Sequence, residues 1–488
     1  MSHHLIEFKS PAARWVILAT VLASGMAFLD STVVNVALPA IADELGADLA
    51  GLQWTIDSYL LTLSALLLLG GSLGDLFGRR RVFLLGLYGF TAASALCALA
   101  PTIETLIAAR SLQGIGAALL VPGSLAIITT NFDSENRGQA IGRWSGLSGV
   151  TTAIGPLLGG WLVEAASWRL VFLLNVPIAI VAIVVTLRHV PETKSGTEGS
   201  RIDLPGAASA TLGLGAVVYA LIEGPVKGFT SPPVLLAAGA GLAALVAFVR
   251  IEGGRDHPML PLGIFRSRQF SGANVTTLVV YGALGGALFL VVLQLQRNLG
   301  YSPLEAGAAL SPITIALLLL SSRAGKLATR IGPRVPMTAG PLIAATGFLL
   351  MRNIVPGATY AAAVLPGIAV FGLGMSLTVA PLTTAVLAAV DDRRAGVASG
   401  VNNAMARLAG LLAVALLPLA AGIAQLESSG PRGLASGFQR AMLVAAGLCL
   451  LGAVSSWLTI RKDVADSRLS SDRSTVRAPE PEARSTTG

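Results

Sequence analysis

The chain has 488 residues, of which 53% are hydrophobic and only 12% are charged, and its mean hydropathy is +0.73. Soluble globular domains carry about 25% charged residues, so this composition excludes a water-soluble fold of this length. A net charge of +8 would suggest nucleic-acid binding in a soluble protein, but here the basic residues lie between hydrophobic segments, so we expect no nucleic acid as a partner.

Hydrophobic stretches near 20 residues in length follow one another along the chain, and about fourteen of them are long enough to cross a bilayer. Each is predicted to be a helix, because lipid offers no partner for an unpaired backbone group. The first stretch, 14–37, is too long for the hydrophobic part of a cleaved signal peptide, so we expect an uncleaved first span. The sequence therefore predicts an all-α, polytopic membrane protein.

The distribution of basic residues sets the predicted orientation. With the N-terminus placed inside, most of the 34 Lys and Arg residues fall on the cytoplasmic side. An even number of spans keeps both basic termini on that side. We therefore expect a multi-pass protein of the cell membrane (the cytoplasmic or inner membrane) whose N- and C-termini are cytoplasmic.

An internal repeat divides the chain. The loop 71–81 (GSLGDLFGRRR) and the loop 325–334 (GKLATRIGPR) share Gly, Leu, Gly and Arg at the same spacing, and Thr329 stands where the first loop has Asp75. Duplicated six-helix halves place a site between two bundles in alternating-access transporters. The predicted units are 1–13, a cytoplasmic N-terminus; 14–190, an N-terminal six-helix bundle; 191–268, a linker with two extra transmembrane helices; 269–461, a C-terminal six-helix bundle; and 462–488, a disordered cytoplasmic tail.

Ionisable residues inside the spans are the sharpest functional signals. An ionised carboxylate such as Asp30, near the middle of the first span, costs about 2.5–3.5 kcal/mol on insertion scales. It is tolerated when it faces a wet cavity, takes a proton or pairs with a cation, and competition between proton and substrate for one carboxylate is the minimal logic of antiport. A structural hydrogen bond between helices is the alternative. Arg110, in the fourth span, needs an internal partner for the same reason, and the sequence does not identify that partner.

Two other intramembrane charges have open interpretations. Asp57, between Trp54 and Tyr59, is either a second proton or cation site or a carboxylate at a helix N-terminus. Arg407 lies deep in the thirteenth span, where interhelical pairing and a role in transport fit equally well. No metal site is expected, because the two cysteines fall in apolar segments and the histidines offer no convincing ligand pair.

Four strings carry a resemblance to a known family. They are 29–39 (LDSTVVNVALP) in the first span, 71–81 between the second and third spans, 110–118 (RSLQGIGAA) in the fourth span and 155–160 (GPLLGG) in the fifth. In this order they are similar to the signature motifs of the major facilitator superfamily, specifically its fourteen-span drug:proton antiporter branch. The resemblance covers nearly the whole chain and implies a major facilitator fold, with two six-helix bundles plus two extra central helices.

The resemblance and the intramembrane charges together assign roles to particular residues. Asp75 is expected to hold the two halves together on the cytoplasmic side, and the Gly-Pro string of the fifth span to kink that helix and permit close packing. Predicted for proton coupling are Asp30, Arg110 and Asp57. Predicted for conformational gating are Gly71, Asp75, Gly78, Arg79 and Arg80. Predicted for helix packing in the antiporter motif are Gly155, Pro156, Gly159 and Gly160. Predicted for the substrate cavity are Asn35, Gln113, Trp54 and Tyr59.

The predicted function is that of a proton-coupled antiporter, not an enzyme, which exports small amphipathic molecules such as drugs, antibiotics and dyes by alternating access. The proton motive force is the expected driver, because the chain has no P-loop string, and no cofactor is expected. The expected partners are a small-molecule substrate, protons and the lipid bilayer, and we expect a monomer. Two alternatives stay open: a dedicated exporter of one endogenous metabolite or lipid, and a non-transporting membrane sensor on the same scaffold.

Overall fold

The computed structural model describes residues 6–8, 10–194, 203–255, 258, 260–390, 395–423 and 430–462. Within these ranges fourteen helices are long and apolar enough to cross a membrane, as predicted. The predicted disordered tail lies outside the described residues from position 463 onward. In chain order the helices are α1 (Pro11–Leu45), α2 (Leu49–Phe77), α3 (Arg79–Leu99), α4 (Ile103–Asn131), α5 (Asn136–Ala165), α6 (Arg169–His189), α7 (Leu204–Lys227), α8 (Pro232–Gly254), α9 (Arg268–Asn298), α10 (Pro303–Ile331), α11 (Arg334–Met351), α12 (Tyr360–Leu387), α13 (Gly396–Ala420) and α14 (Gly433–Thr459).

Polar residues at the helix starts define the boundaries of several spans. The side chain of Ser10 accepts a backbone N–H from the first turn of α1, and Asp48 does the same for α2. At the start of α10, Ser302 and Glu305 each accept the backbone N–H of the other residue. Because the first N–H groups of a helix have no partner within it, these side chains fix where the helices begin.

Helix packing repeats along the chain. In α1–α6, α1 packs against α5 and α6, while α4 packs against both α2 and α3. Eight helices later the same pairs recur, because α9 packs against α13 and α14, while α12 packs against both α10 and α11. We call α1–α6 the first half and α9–α14 the second half. This is the pair of six-helix bundles predicted from the repeated loops; the exact residue limits of the predicted units stay a prediction.

The two extra helices form a pair beside the junction of the halves. Gly213 of α7 and Gly241 of α8 allow close approach, since an added Cβ at either position would lie 2.9 Å from a side chain of the other helix. Helix α7 also contacts α2 and α13, one helix from each half. Most of the apolar surface of α8 is exposed, as a helix that faces lipid requires.

Because successive spans alternate in direction, the loops separate into two sides. We call the side that carries Pro11 and Thr459 the near side, and the side that carries the α1–α2 loop at Gly46 the far side. The loop 71–81 therefore lies on the near side. The starts of α4 and α10, at Ile103 and Pro303, lie on the far side.

Candidate functional site

A buried ion pair lies inside the first half, where Asp30 of α1 meets Arg110 of α4. Asp30 is 0% exposed and Arg110 is 1% exposed. The Arg110 guanidinium donates a hydrogen bond from Nη1 to Asp30 Oδ2. Gln113 Nε2 and Asn175 Nδ2 donate to the other oxygen, Oδ1, at 2.8 and 3.1 Å. Both Asp30 oxygens are therefore bound by donors from α4 and α6.

Ser94 of α3 extends this network. Its hydroxyl oxygen accepts hydrogen bonds from Gln113 Nε2 at 2.7 Å and from Asn175 Nδ2 at 3.2 Å. The Gln113 carbonyl in turn accepts from Arg110 Nη1 at 2.6 Å. The polar groups of α1, α3, α4 and α6 thus form one connected network, in which movement of any helix changes the donors around Asp30.

The Arg110 side chain is also held from α2 and α6. Its Nε donates to the Thr55 carbonyl at 3.0 Å. Its guanidinium carbon lies 4.3 Å from the centre of the Tyr59 ring and 5.6 Å from that of Phe172. A cation over aromatic faces gains a further favourable interaction, so Arg110 is fixed both by its charge and by its surroundings. The partner that the sequence left unidentified is Asp30.

Asp57, in contrast to Asp30, is a buried carboxylate whose oxygens receive no hydrogen bond from the described residues. It is 0% exposed. It lies two turns into α2, and the residue that caps that helix is Asp48. A capping role therefore does not account for Asp57. A buried carboxyl without a partner is tolerated when it is protonated, which keeps the prediction of a proton site open.

The four residues predicted for the substrate cavity do not share one surface. Gln113 and Tyr59 are 0% exposed and belong to the buried network, where the Tyr59 hydroxyl donates to the Ala27 carbonyl. The indole N–H of Trp54 donates to Glu223 of α7 at 3.0 Å, so Trp54 contacts an extra helix, and its place in the cavity stays a prediction. Asn35 is half-buried, and its amide donates to the Ser31 carbonyl one turn back in α1.

The structure has a cavity of about 220 Å³ that sequence reasoning did not find. It lies on the far side between α2, α7 and α13. Gln53, one turn from Asp57 along α2, lines it and donates to the Val414 carbonyl of α13 at 2.7 Å. Pro225 of α7 and Pro418 of α13 form part of the opposite walls. The signal in the sequence was slight, because most residues of this cavity are ordinary apolar side chains.

The predicted gating loop on the near side is bound within the first half. Asp75 Oδ1 accepts from Arg79 Nη2 at 2.8 Å, and Arg79 Nη1 donates to Thr130 of α4. Arg80 Nη2 donates to the Leu187 carbonyl of α6 at 2.8 Å. Gly71, earlier in the loop, faces α4 across ordinary van der Waals distance. These contacts attach the loop to α4 and α6.

Glu192, which follows α6, anchors the same loop and was missed by sequence reasoning. Its two carboxylate oxygens accept the backbone N–H groups of Arg80 and Arg81 at 3.1 and 3.2 Å, at the start of α3. Gly78 has a φ of +108°, and an added Cβ there would lie 2.7 Å from Glu192. A residue with a side chain would therefore be strained in its backbone and would also displace Glu192.

The string 155–160 of α5 is a region of close backbone contact. An added Cβ at Gly155 or Gly159 would collide with Thr32 or Val33 of α1. On another face of α5, Gly160 lies against the Pro303 carbonyl, which belongs to the first turn of α10 on the far side. The string thus joins α5 to its own half and to the opposite half.

The Pro156 carbonyl belongs to the same contact. An added Cβ at Gly307 of α10 would collide with it. Gly160 on α5 and Gly307 on α10 therefore let the backbones of the two halves meet with no side chain between them.

Polar contacts close the far side between the halves. Arg297 of α9 forms an ion pair with Asp43 of α1, with Nη2 and Oδ1 2.6 Å apart. Gln296 Nε2 donates to the Val36 carbonyl at 3.0 Å. Glu164 of α5 accepts from the Ser302 hydroxyl at 2.6 Å, at the start of α10.

Toward the near side, α5 faces open space. Gly138, Gly142, Gly146 and Gly149 would each meet no atom within 4 Å if a Cβ were added. By helical periodicity these positions share a face with Gly160, which contacts α10 on the far side. The gap between α5 and α10 therefore widens from the far side to the near side.

Comparisons with known proteins agree with this architecture. The family model described as "Major Facilitator Superfamily" matches residues 20–414. The multidrug resistance protein Stp of Mycobacterium tuberculosis (strain CDC 1551 / Oshkosh) is 36% identical over 402 residues, which cover 82% of this chain and 74% of that protein. The methylenomycin A resistance protein of Streptomyces coelicolor is 36% identical over 449 residues, covering 91% and 92%.

Solved structures show the same fold. A bacterial homolog of the human lysosomal transporter Spinster, crystallised in an inward-facing and unoccupied conformation, superposes with a TM-score of 0.63 at 18% identity, covering 92% of this chain and 97% of that one. The POT family transporter PepTSo superposes with a TM-score of 0.65 at 16% identity, covering 95% and 99%. At these identities the likeness concerns the fold alone.

Proposed function

The chain belongs to the Major Facilitator Superfamily, and from this premise we propose that it is a proton-coupled antiporter that exports small amphipathic molecules by alternating access. Membership confirms the major facilitator fold that the four sequence strings implied. It also confirms a multi-pass membrane transporter of small-molecule substrates, not an enzyme. The proposal concerns the driver, the direction and the chemistry of the substrate.

The buried Asp30–Arg110 network carries the proposal. A carboxylate within the membrane, bound by donors from two other helices, changes its partners whenever those helices move. A proton that binds Asp30 removes the charge that Arg110 compensates, so protonation and helix position are linked. A potential of 100 mV supplies about 2.3 kcal/mol per proton, which sustains about a fifty-fold gradient of a neutral substrate at one proton each.

Alternating access is supported by the asymmetry between the two sides. The far side is closed by the Asp43–Arg297 ion pair and by the contact of Gly160 with α10, whereas α5 faces open space toward the near side. With both termini in the cytoplasm, as the distribution of basic residues indicates, this arrangement is open to the cytoplasm. Export then requires the far-side contacts to break and the near-side gap to close.

The names of the relatives support efflux of drugs or antibiotics. Besides the proteins above, a puromycin resistance protein of Streptomyces alboniger is 35% identical over 471 residues. We propose amphipathic drugs, antibiotics and dyes as substrates, with the proton motive force as driver and a monomer as the working unit. The chain offers an apolar interior with few charges, which suits such ligands.

A dedicated exporter of one endogenous metabolite is the second candidate. It is favoured by relatives that are named for single compounds, among them the tetracenomycin C resistance and export protein of Streptomyces glaucescens, which is 32% identical over 401 residues. A non-transporting sensor is disfavoured, because it has no need for a charged pair buried at mid-membrane depth. The two transport proposals differ in the range of substrates: many amphipathic compounds for a drug exporter, and one compound for a dedicated exporter.

The test uses inside-out vesicles energised with a pH gradient, to which a panel of dyes and antibiotics is added. We expect a substrate of the panel to discharge the gradient with wild-type protein and not with Asp30→Asn. Glu104→Gln, which changes an exposed acid at the start of α4, is the matched control and should behave as wild type. Discharge by both wild type and Asp30→Asn would move coupling to another carboxylate. No discharge by well-inserted wild type would contradict broad antiport.

A further inference from the structure

Arg407 is a cation at mid-membrane depth with no carboxylate partner among the described residues. It lies near the middle of α13 and is half-buried. Among the residues that the structure describes, no acid lies within ion-pair distance of it, and its guanidinium donates no hydrogen bond. Arg110, the buried arginine of the first half, has Asp30 as its partner. A guanidinium carries five N–H donors, so Arg407 presents an unused binding group.

Aromatic groups from both halves surround this guanidinium. Its central carbon lies 5.0 Å from the centre of the Phe28 ring of α1, across the junction of the halves. It is also close enough to interact electrostatically with the phenols of Tyr59 on α2 and Tyr281 on α9. The Tyr59 hydroxyl already donates to a backbone carbonyl, whereas the Tyr281 hydroxyl has no hydrogen bond among the described residues. A cation, a free hydroxyl and ring faces thus meet at one place.

These surroundings do not compensate the charge. An aromatic face interacts favourably with a cation, but much less than a carboxylate does in a medium of low polarity. Asp57 of α2 is not the missing partner, because no electrostatic interaction joins it to Arg407. A static role in holding helices together would require a bound acceptor, and the part of the chain that the structure describes supplies none. Arg407 is thus half-buried at the junction of the halves, next to Phe28 of the first half.

We infer that Arg407 is the charged contact of a substrate site between the halves, and that this site takes organic anions. This inference rests on the proposed transport function and names its substrate class: amphipathic molecules that carry a carboxylate, phenolate or sulfonate next to an aromatic ring. The planar guanidinium binds a carboxylate or sulfonate through two parallel hydrogen bonds and a phenolate through its one oxygen, and Phe28 supplies a face for the ring. Organic cations are disfavoured by the same uncompensated positive charge.

The experiment measures the binding of two xanthene dyes of similar size and opposite charge, anionic fluorescein and cationic rhodamine 123, to protein in neutral-lipid nanodiscs. Wild type should bind fluorescein at least about tenfold more tightly than rhodamine 123. Arg407→Gln should weaken fluorescein binding about tenfold or more and should strengthen rhodamine 123 binding, because the repulsive charge is removed. Arg250→Gln, at an exposed position of α8, is the matched control and should change neither.

Arg407→Lys keeps the charge but loses the paired donors, so it should give an intermediate fluorescein affinity. It replaces Arg407→Gln in the comparison if the glutamine variant is not monodisperse. Equal affinity of wild type for both dyes, preference for rhodamine 123, absence of fluorescein binding, or fluorescein affinities unchanged in both variants would each overturn the inference. Because no gradient is used, failure of antiport in vesicles leaves this result unaffected, and the two proposals fail separately.

Discussion

Gly160 of α5 lies directly against the Pro303 carbonyl of α10, so the two halves meet on the far side backbone to backbone. A side chain at position 160 cannot be accommodated by rotation, because the atoms it would meet belong to the main chain of α10. The exposed Asp43–Arg297 ion pair beside it is worth at most about 1 kcal/mol, since both side chains reach solvent. The close backbone contact at Gly160, which a side chain would prevent, is therefore required for full closure of the far side.

We predict that Gly160→Val separates the halves on the far side and lowers transport at least about tenfold, since closure there is one of the two end states. Spin labels at Pro101→Cys and Asn353→Cys, both exposed on the far side, should report a longer distance between the halves. The native cysteines, Cys97 and Cys449, are buried and should not be labelled.

Gly89→Val is the control for this substitution. Gly89 lies in α3, and an added Cβ there would meet no atom within 4 Å. Gly89→Val therefore changes helix propensity by the same amount as Gly160→Val but causes no collision. An unchanged far-side distance in Gly160→Val would contradict the requirement for this contact in far-side closure.

The sequence predicts those features of the structure that depend on local residue patterns. The fourteen spans follow from the length of apolar runs, and Asp30 and Arg110 stand out because charges are rare within them. That these two residues pair depends on which helices are neighbours, and no local pattern specifies it. Asn175 and Ser94 were missed because neutral polar residues are common in membrane helices.

Other misses have the same cause. Glu192 lies outside every string that suggested function, and its role appears only when the end of α6 folds back onto the start of α3. The contact of Trp54 with Glu223 likewise appears only when the extra helix α7 packs against α2. That Arg407 has no acidic partner among the described residues also depends on how the two halves assemble.

The Asp30–Arg110 pair should behave as a coupled unit in stability measurements. Arg110→Gln alone leaves the Asp30 carboxylate buried without its counter-ion, and we expect a loss of about 3–5 kcal/mol. The double variant Asp30→Asn, Arg110→Gln should recover part of that loss, because neither charge remains. Thermal unfolding of the purified variants, followed by the loss of monodisperse protein, gives the comparison. Additive losses in the double variant would show that the two charges do not stabilise each other.

Asp57→Asn should reduce proton coupling without reducing the stability of the fold. Because the Asp57 oxygens have no hydrogen bond among the described residues, the amide loses no contact, and we expect thermal stability to change by less than about 1 kcal/mol. If the carboxyl carries a proton during transport, substrate-induced proton release in vesicles should fall at least about tenfold, because an amide cannot take that proton. Glu104→Gln serves again as the control acid. Normal proton release with normal stability would remove Asp57 from the coupling path.

Glu192→Ala should loosen the near-side loop without unfolding the chain. The substitution leaves the N–H groups of Arg80 and Arg81 without their acceptor at the start of α3, a loss comparable to removing a helix cap, about 1 kcal/mol. Amide hydrogen exchange should therefore rise in 78–82 and stay unchanged in the α5 segment 155–160. Glu192→Gln keeps one acceptor oxygen and should give a smaller increase. Equal exchange in wild type and Glu192→Ala would show that the contacts of Arg79 with Thr130 and of Arg80 with Leu187 hold the loop without Glu192.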